Sequence, residues 1–318
     1  MLALALGGGG YWWINQSLTL AAPTLDLSVE PGTTPRGVAQ LAVDSGVQTS
    51  PMVLYWWFRL SGQARLIKAG SYELETGLTP YKLLSKLTRG EESLRSVTLV
   101  EGWTFRQVRA ALLKEEQLRP DSKGLDDAVI MEKLGLPGRH PEGRFYPDTY
   151  TYAKGSSDLK LLLRAKHAMD KHMAQAWQAR AANSPLKTPD DLLILASIVE
   201  KETGQANDRA MIASVFSNRL RVGMMLQTDP TVIYGLGERF DGNLRRRDLM
   251  TDTPWNTYTR AGLPPTPIAM PGKAALMAAA QPANSRALYF VARGDGSSQF
   301  SDSLDAHNRA VNKYQRGQ

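Results

Sequence analysis

TPDDLLILASIVEKETG, residues 188–204, is the stretch whose reading sets the fold. Thr188 is a strong helix cap, Pro189 takes the first helical position, and Asp190 and Asp191 put carboxylates at the positive end of the helix dipole. Gly204 supplies the matching stop. Between these signals Leu192, Leu193, Ile194, Leu195, Ala196, Ile198 and Val199 are apolar nearly all round, which predicts a helix buried on every side. Two acids, Glu200 and Glu202, close this apolar helix. At ~100° per residue their side chains diverge by ~200°, so they do not form a side-by-side pair and each needs its own account.

A carboxyl group at the negative end of a buried helix has its ionised form disfavoured twice, by desolvation and by the dipole, so its pKa rises. Such a group stays protonated near neutral pH and serves as a general acid. The other reading is a wet helix end at which Glu200, Lys201 and Glu202 all face water. The stretch by itself leaves both open.

Working outward, periodicity predicts helices over residues 157–180 and 208–222 and a last one from Leu304. Val97-Thr98-Leu99-Val100 reads as a strand, and Thr104 caps an amphipathic helix through Phe105, Val108, Leu112 and Leu113. Residues 120–141 are charged and interrupted by glycine, which predicts an excursion over the surface. After them Gly143 and Pro147 exclude a helix between Glu142 and Tyr150. Leu288 to Val291 and Gln299 to Ser301 flank Arg293-Gly294-Asp295-Gly296 as a hairpin. Helices with local hairpins and no βαβ rhythm give an α+β class, with a mainly helical domain over residues 96–318.

Ahead of that domain come a strand over Leu25–Val29, a helix opened by Thr34-Pro35, and an apolar helix over Pro51–Leu60. A strand over Lys68–Leu74 and a helix from Thr79-Pro80 to near Gly90 follow. This order, over residues 25–92, resembles a LysM-like module, a small fold associated with glycan chains. Trp56 and Trp57 adjoin on its second helix; they either divide between core and surface or stack on sugars. The first residues, MLALALGGGGYWWI within 1–16, are apolar, uncharged and end in aromatics, as at a membrane interface. The run is shorter than the ~20 residues of a spanning helix and lacks the Lys or Arg that would orient it. The expectation is a membrane anchor shortened at its start, against a buried or disordered leader.

The chain has 38 Lys+Arg against 31 Asp+Glu, and the net +7 suits an acidic envelope, a phospholipid surface or a nucleic acid. Nucleic acid is disfavoured, because the densest basic run, Arg245-Arg246-Arg247, is short and followed by Asp248. Without cysteine there is no disulfide, thiolate zinc site or Cys nucleophile. His140, His167, His172 and His307 make no HExxH and no ligand cluster, so they read as surface residues and no metal or cofactor is expected.

Several segments together resemble the endolytic murein transglycosylase family, also called MltG or YceG-like. They are ASIVEKET at 196–203, VFSNRL at 215–220 and LQTDPTVIYG at 226–235. Asn256-Thr257-Tyr258, Gly262-Leu263-Pro264-Pro265, Pro271-Gly272 and His307-Asn308 continue the likeness, as do Glu142-Gly143 and Pro147-Asp148-Thr149 upstream. The resemblance implies that the catalytic glutamate is the one in the Glu-Thr pair, Glu202, and leaves Glu200 a secondary place beside the substrate. It also implies cleavage within peptidoglycan strands between N-acetylmuramyl and N-acetylglucosaminyl residues, a 1,6-anhydromuramyl end, and a terminase role in glycan elongation. Single-pass attachment to the inner membrane, a periplasmic catalytic domain and peptidoglycan synthases as partners come with it.

For contact with sugar the sequence offers Gln227, Asp229, Asn256 and Tyr258, the amides, short acids and aromatic faces that a polar groove uses. Each has a structural alternative: Asp229 as the cap ahead of Pro230, Tyr258 as a core ring. A glycan-binding scaffold would keep the module and groove but need no acid in an apolar setting. A hydrolytic muramidase would bring a second carboxylate, Asp229 or Asp148, within ~5–9.5 Å of the first. A lytic transglycosylase needs only one, because the muramyl 6-hydroxyl replaces water.

Overall fold

The computed structural model describes residues 2–316, so Met1, Gly317 and Gln318, at the ends of the expected anchor and catalytic segments, lie outside the described residues. The chain divides into two units, Met1–Ser96 with Thr151–Ser156, and Val97–Tyr150 with Ser157–Gln318.

In the first unit α1 (Leu2–Asn15) is followed by β1 (Thr19–Leu20), β2 (Thr24–Val29), α2 (Pro35–Asp44), β3 (Val47–Gln48), α3 (Pro51–Leu60), β4 (Gly70–Glu75) and α4 (Pro80–Arg89). β2 and β4 are antiparallel, with Thr24 opposite Glu75 and Val29 opposite Gly70. Their alternation buries Leu25, Leu27, Val29, Tyr72 and Leu74 on one face. Val38 and Ala42 of α2, Leu54 and Phe58 of α3, and Leu83 and Leu87 of α4 close over that face. Thr34 and Thr79 cap α2 and α4, accepting from the Gly37 N–H at 3.2 Å and the Lys82 N–H at 3.1 Å. Trp57 donates its indole N–H to Pro80 O at 3.0 Å while Trp56 is 49% exposed, so the adjacent rings divide between core and surface.

The amino-terminal helix does not by itself supply a single-pass anchor. Among the described residues no helix is long and apolar enough to cross a membrane. The 14 residues of α1 rise only ~21 Å at 1.5 Å each, against a hydrocarbon core of ~30 Å.

β5 (Leu94–Thr98) pairs with β6 (Thr149–Ala153), and the division between units falls within both strands. The second unit contains α5 (Phe105–Lys114), α6 (Asp127–Lys133), α7 (Asp158–Gln178), α8 (Pro189–Glu202), α9 (Ala206–Arg221), α10 (Asp229–Leu236), α11 (Arg246–Met250) and α12 (Lys273–Ala280). The antiparallel hairpin of β7 (Tyr289–Ala292) and β8 (Ser298–Ser301) and the helix α13 (Leu304–Val311) complete it. Helices with small sheets make the chain α+β.

α8 is the central helix of this unit. Thr188 Oγ1 accepts the Asp191 N–H and Asp191 Oδ2 accepts the Thr188 N–H, both at 3.1 Å, a reciprocal capping box. Residues Leu192 to Val199 are all buried. Ser197 is polar inside this run and satisfied there: its hydroxyl donates to Ile194 O at 2.7 Å and accepts the Ile268 N–H at 3.0 Å. Asp190 accepts from Arg139 at 2.6 Å and from Arg144 at 2.8 Å, which fixes the 139–144 loop to the head of the helix. In that loop Gly143 has φ +78°, and a Cβ there would come within 2.6 Å of Pro267, so only glycine fits.

Three elements differ from the sequence reading. The charged excursion over 120–141 contains α6, whose Ile130 and Met131 are fully buried. The alternation TYTYA makes β6, with Tyr150 and Tyr152 buried. KAALMAAA forms α12, whose buried Ala275, Ala279 and Ala280 give α8 and α12 a close approach.

Candidate active site

Glu202 is the last residue of α8, at the negative end of its dipole. Thr228 Oγ1 donates to Glu202 Oε2 at 2.7 Å. Thr228 is 2% exposed, and neighbouring threonines hold it in place. Its N–H donates to Thr257 Oγ1 at 3.1 Å, and Thr231 Oγ1 donates to its carbonyl at 2.7 Å. That use of the Thr231 proton makes Thr257 the donor in the 2.8 Å contact between the Thr231 and Thr257 hydroxyls. Burial raises the Glu202 pKa above the usual carboxylate range; the Thr228 bond opposes this, the Asp229 charge adds to it, and the Arg219 charge opposes it.

Arg219, on α9, is 7% exposed. Its Nε donates to Leu288 O at 2.7 Å and its Nη1 to Leu226 O at 2.6 Å, and its guanidinium lies 5.5 Å from the Tyr289 ring centroid. Those bonds join α9 to the chain leading into α10 and to the start of the β7 hairpin. Glu202, Arg219, Gln227, Thr228, Asp229, Tyr258 and Tyr289 line a groove of 740 Å³, with His307 and Asn308 of α13 on its border.

Four of the six residues expected at the site meet in this groove. Gln227 is exposed and has φ +49°, uncommon for a residue with a side chain, and its N–H donates to Thr257 O at 3.1 Å. A conformation of this kind persists where the surroundings impose it. Asp229 is the first residue of α10, not its cap; Thr228 holds the cap position and its hydroxyl is committed to Glu202. Tyr258 donates its hydroxyl to Asp229 Oδ1 at 2.6 Å, and burial together with that acid raises its pKa, so it remains a donor.

Glu200 and Asn256 are placed elsewhere. Glu200 Oε2 accepts the Gly272 N–H at 2.9 Å on a different side of α8, with Glu101 nearby. A Cβ on Gly272 would meet the carboxyl end of the exposed Glu101 side chain, which would have to swing aside. Burial raises the Glu200 pKa too, the Gly272 bond lowers it and the Glu101 charge raises it. Asn256 is corrected from a sugar contact to an internal brace. It is fully buried, its amide donates to Leu249 O at 3.0 Å and Thr251 O at 2.7 Å, and its Oδ1 accepts the Tyr258 N–H at 2.8 Å. Asp148, the other carboxylate considered, accepts the Thr149 N–H at 2.7 Å and is not among the groove residues.

Of the four histidines His140 and His167 are exposed, as read, whereas His172 and His307 are partly buried. His307 borders the groove and stacks on Tyr289 with centroids 5.2 Å apart, and His172 stacks on Tyr146 at 4.0 Å. Arg219, Tyr289 and His307 were not singled out for the site from sequence, whereas Thr228 belonged to the polar set read there with Gln227 and Asp229. Among the described residues no group of three His, Cys, Asp or Glu side chains is placed to hold a metal ion.

The model of the YceG-like family matches residues 27–313. The chain belongs to that family. The match begins in β2 and ends beyond α13, so this YceG-like chain carries the family pattern in both units. A Bacillus subtilis strain 168 protein named endolytic murein transglycosylase is 30% identical over 308 residues, covering 92% of this chain and 85% of that one. A Streptococcus pneumoniae D39 protein of the same name is 26% identical over 98% of this chain, which spans 63% of that relative's length. A crystal structure of a YceG-like protein from Listeria monocytogenes superposes with a TM-score of 0.57 at 29% identity, covering 90% of this chain and 98% of that one.

Proposed function

We propose that this YceG-like protein is a lytic transglycosylase that cuts within peptidoglycan strands between N-acetylmuramyl and N-acetylglucosaminyl residues, with Glu202 as its single acid/base. One observation carries the reading: a carboxyl with a raised pKa ends a buried helix and opens into a groove of amide, acid and phenol groups. The name borne by the Bacillus and pneumococcal relatives supports it.

In this mechanism Glu202 begins protonated and gives its proton to the glycosidic oxygen as the bond to the muramyl anomeric carbon breaks. The substrate's N-acetyl group stabilises the positive centre, so no carboxylate nucleophile is required. The ionised Glu202 then takes the proton of the muramyl 6-hydroxyl as that oxygen closes on the anomeric carbon. The anhydro ring forms and the acid is restored. Thr228 aims the carboxyl through both steps, while Gln227, Asp229 and Tyr258 hold sugar hydroxyls and acetamido groups. Glu200 supports the close approach at Gly272 from outside the groove.

Asp229 shares the groove with Glu202, which is the observation favouring hydrolysis as a second reading. Against it, one Asp229 oxygen already accepts the Tyr258 hydroxyl. Mass spectrometry of digested, purified glycan strands separates the two, because anhydromuramyl products lack the water that hydrolysis adds. Strands ending only in reducing muramyl residues would overturn the transglycosylase reading.

The proposal extends to place and partners. The β2–α2–α3–β4 arrangement serves as the LysM-like module that engages glycan. The segment containing α1, with Tyr11 and Trp12 exposed, attaches the enzyme at the inner membrane with both units in the periplasm. There it ends glycan elongation beside peptidoglycan synthases.

A further inference from the structure

We infer that the 720 Å³ cavity at the carboxyl end of α10 is a second glycan subsite, holding an N-acetylhexosamine of the same strand away from the bond being cut. The inference rests on the transglycosylase reading of the Glu202 groove and adds how the strand is held beyond it.

The helix α10 links the two places. Its first residue, Asp229, lines the Glu202 groove, and Ile233 and Gly237 line the cavity. Steps of four and eight residues keep these positions within ~80° of one another, at ~6 and ~12 Å along the axis. A strand laid along this helix face therefore passes from one to the other.

The lining suits a sugar. Tyr234 and Trp255 meet edge to face at 5.4 Å and 67°, and Phe240 adds a third ring. The Trp255 indole N–H is used on Thr266 Oγ1 at 2.9 Å, so this ring, packed partly on the core, joins the lining with its polar group satisfied. The polar groups of the lining are each already partnered within the protein. Glu142, 3% exposed, accepts the Phe105 N–H at 2.9 Å and is hydrogen-bonded by the Tyr234 hydroxyl. At the mouth Arg106 and Glu238 pair at 2.8 Å, and Arg109 pairs with Asp127 at 2.8 Å.

The charges there are matched, and this selects the sugar over the carboxylates of a stem peptide. Burial pushes Glu142 up to about 7 and lowers the His140 pKa, so neither adds a full charge near neutral pH. A neutral, ring-faced cavity fits a neutral hexosamine. An enzyme that grips its strand here, as well as at the cut, favours bonds with further sugars beyond them, which is what an internal cutter needs.

The test uses full-length protein carrying Glu202→Gln, so that binding is read without turnover. Its ligands are peptide-free glycan strands, the same strands with stem peptides, and the disaccharide repeat, titrated by calorimetry. Adding Phe240→Ala should weaken binding of peptide-free strands by about 2–10-fold, the worth of one stacking ring. Disaccharide binding should not change, and Phe240→Tyr should restore strand binding. Unchanged strand binding in a folded Phe240→Ala protein overturns the inference, as does an equal loss for the disaccharide or a loss confined to strands bearing peptides. If circular dichroism shows Phe240→Ala unfolded, Arg106→Ala with Glu238→Ala at the exposed mouth is read in the same way. Products of the enzyme with native Glu202 report separately on the reaction: reducing ends would sink the transglycosylase reading and leave the binding comparison standing.

Discussion

Glu200 and Glu202 carry the same group one residue either side of Lys201, yet the fold gives them different neighbours. Glu202 meets the Thr228 hydroxyl and opens on the groove, whereas Glu200 accepts a backbone N–H from Gly272. Glutamine at 202 keeps size and hydrogen bonding but cannot exchange a proton, so Glu202→Gln should lose ~10²–10⁴ in turnover on glycan strands. Glu200→Gln keeps an acceptor for the Gly272 N–H and should cost far less. In the proposed mechanism the acid acts first in its protonated form, so with its pKa raised kcat/KM should fall as pH climbs through that pKa, and this limb should vanish in Glu202→Gln. A folded Glu202→Gln enzyme with native turnover, or loss of activity in Glu200→Gln alone, would refute the assignment. At this scale local sequence marked Glu200 and Glu202 alike, because both end an apolar helix, and only the family resemblance set Glu202 apart. Gln227 and Asp229 were marked by a polar turn, and they line the same groove as Glu202. A role that comes from a distant partner was not legible. Thr228 reaches Glu202 across 26 positions, and Asn256 is spent on backbone groups that local sequence does not reveal.

Elements are held in register by buried polar groups, and Glu142 shows the energetic consequence. It joins the first N–H of α5 to Tyr234 of α10, and burial lifts its pKa from 4.5 to about 7. The folded state therefore holds this proton more tightly than the unfolded chain does. The stabilisation is fully present below the unfolded pKa and is lost as pH rises from about 4.5 through about 7. A shift of this size corresponds to on the order of 3 kcal/mol. Urea unfolding at pH 4.5 and pH 8 should show wild-type stability falling by about that much more than Glu142→Gln stability over the interval. Coincident pH dependences would mean that Glu142 does not titrate there. Helices with end signals, such as Thr34-Pro35, Thr79-Pro80 and Thr188-Pro189, were readable because a cap and a proline act locally. α6 and α12 were not. The first lies in a charged stretch rescued by two core side chains, and the second is alanine-rich, with its reason for being helical lying in the neighbour it packs on.

Over the whole molecule the division into two units follows from two apolar cores with no residue in common. One gathers Leu27, Leu54, Phe58 and Leu83, and the other Leu193, Leu195, Phe216 and Leu276. The sequence reading separated these regions near residue 96, but it had no means of foreseeing that Thr151–Ser156 returns to the first unit. That return depends on β5 pairing with a strand far along the chain, and pairing partners are not written in either strand alone. Because each core is self-contained, a cavity cut in one should weaken that unit and spare the other. Leu54 is fully buried, so Leu54→Ala should remove ~2–5 kcal/mol from the first unit. Differential scanning calorimetry should then show two transitions in the wild type, with only one moved to lower temperature in the variant. Leu195→Ala, equally buried, should move the other. Glu202, Thr228, Arg219 and Tyr258 all belong to the second unit, so Leu54→Ala protein kept below its first transition should still cleave short glycan oligosaccharides. A single transition displaced as a whole by either substitution would show that the units unfold together, and separate cores would then not mean separate stabilities.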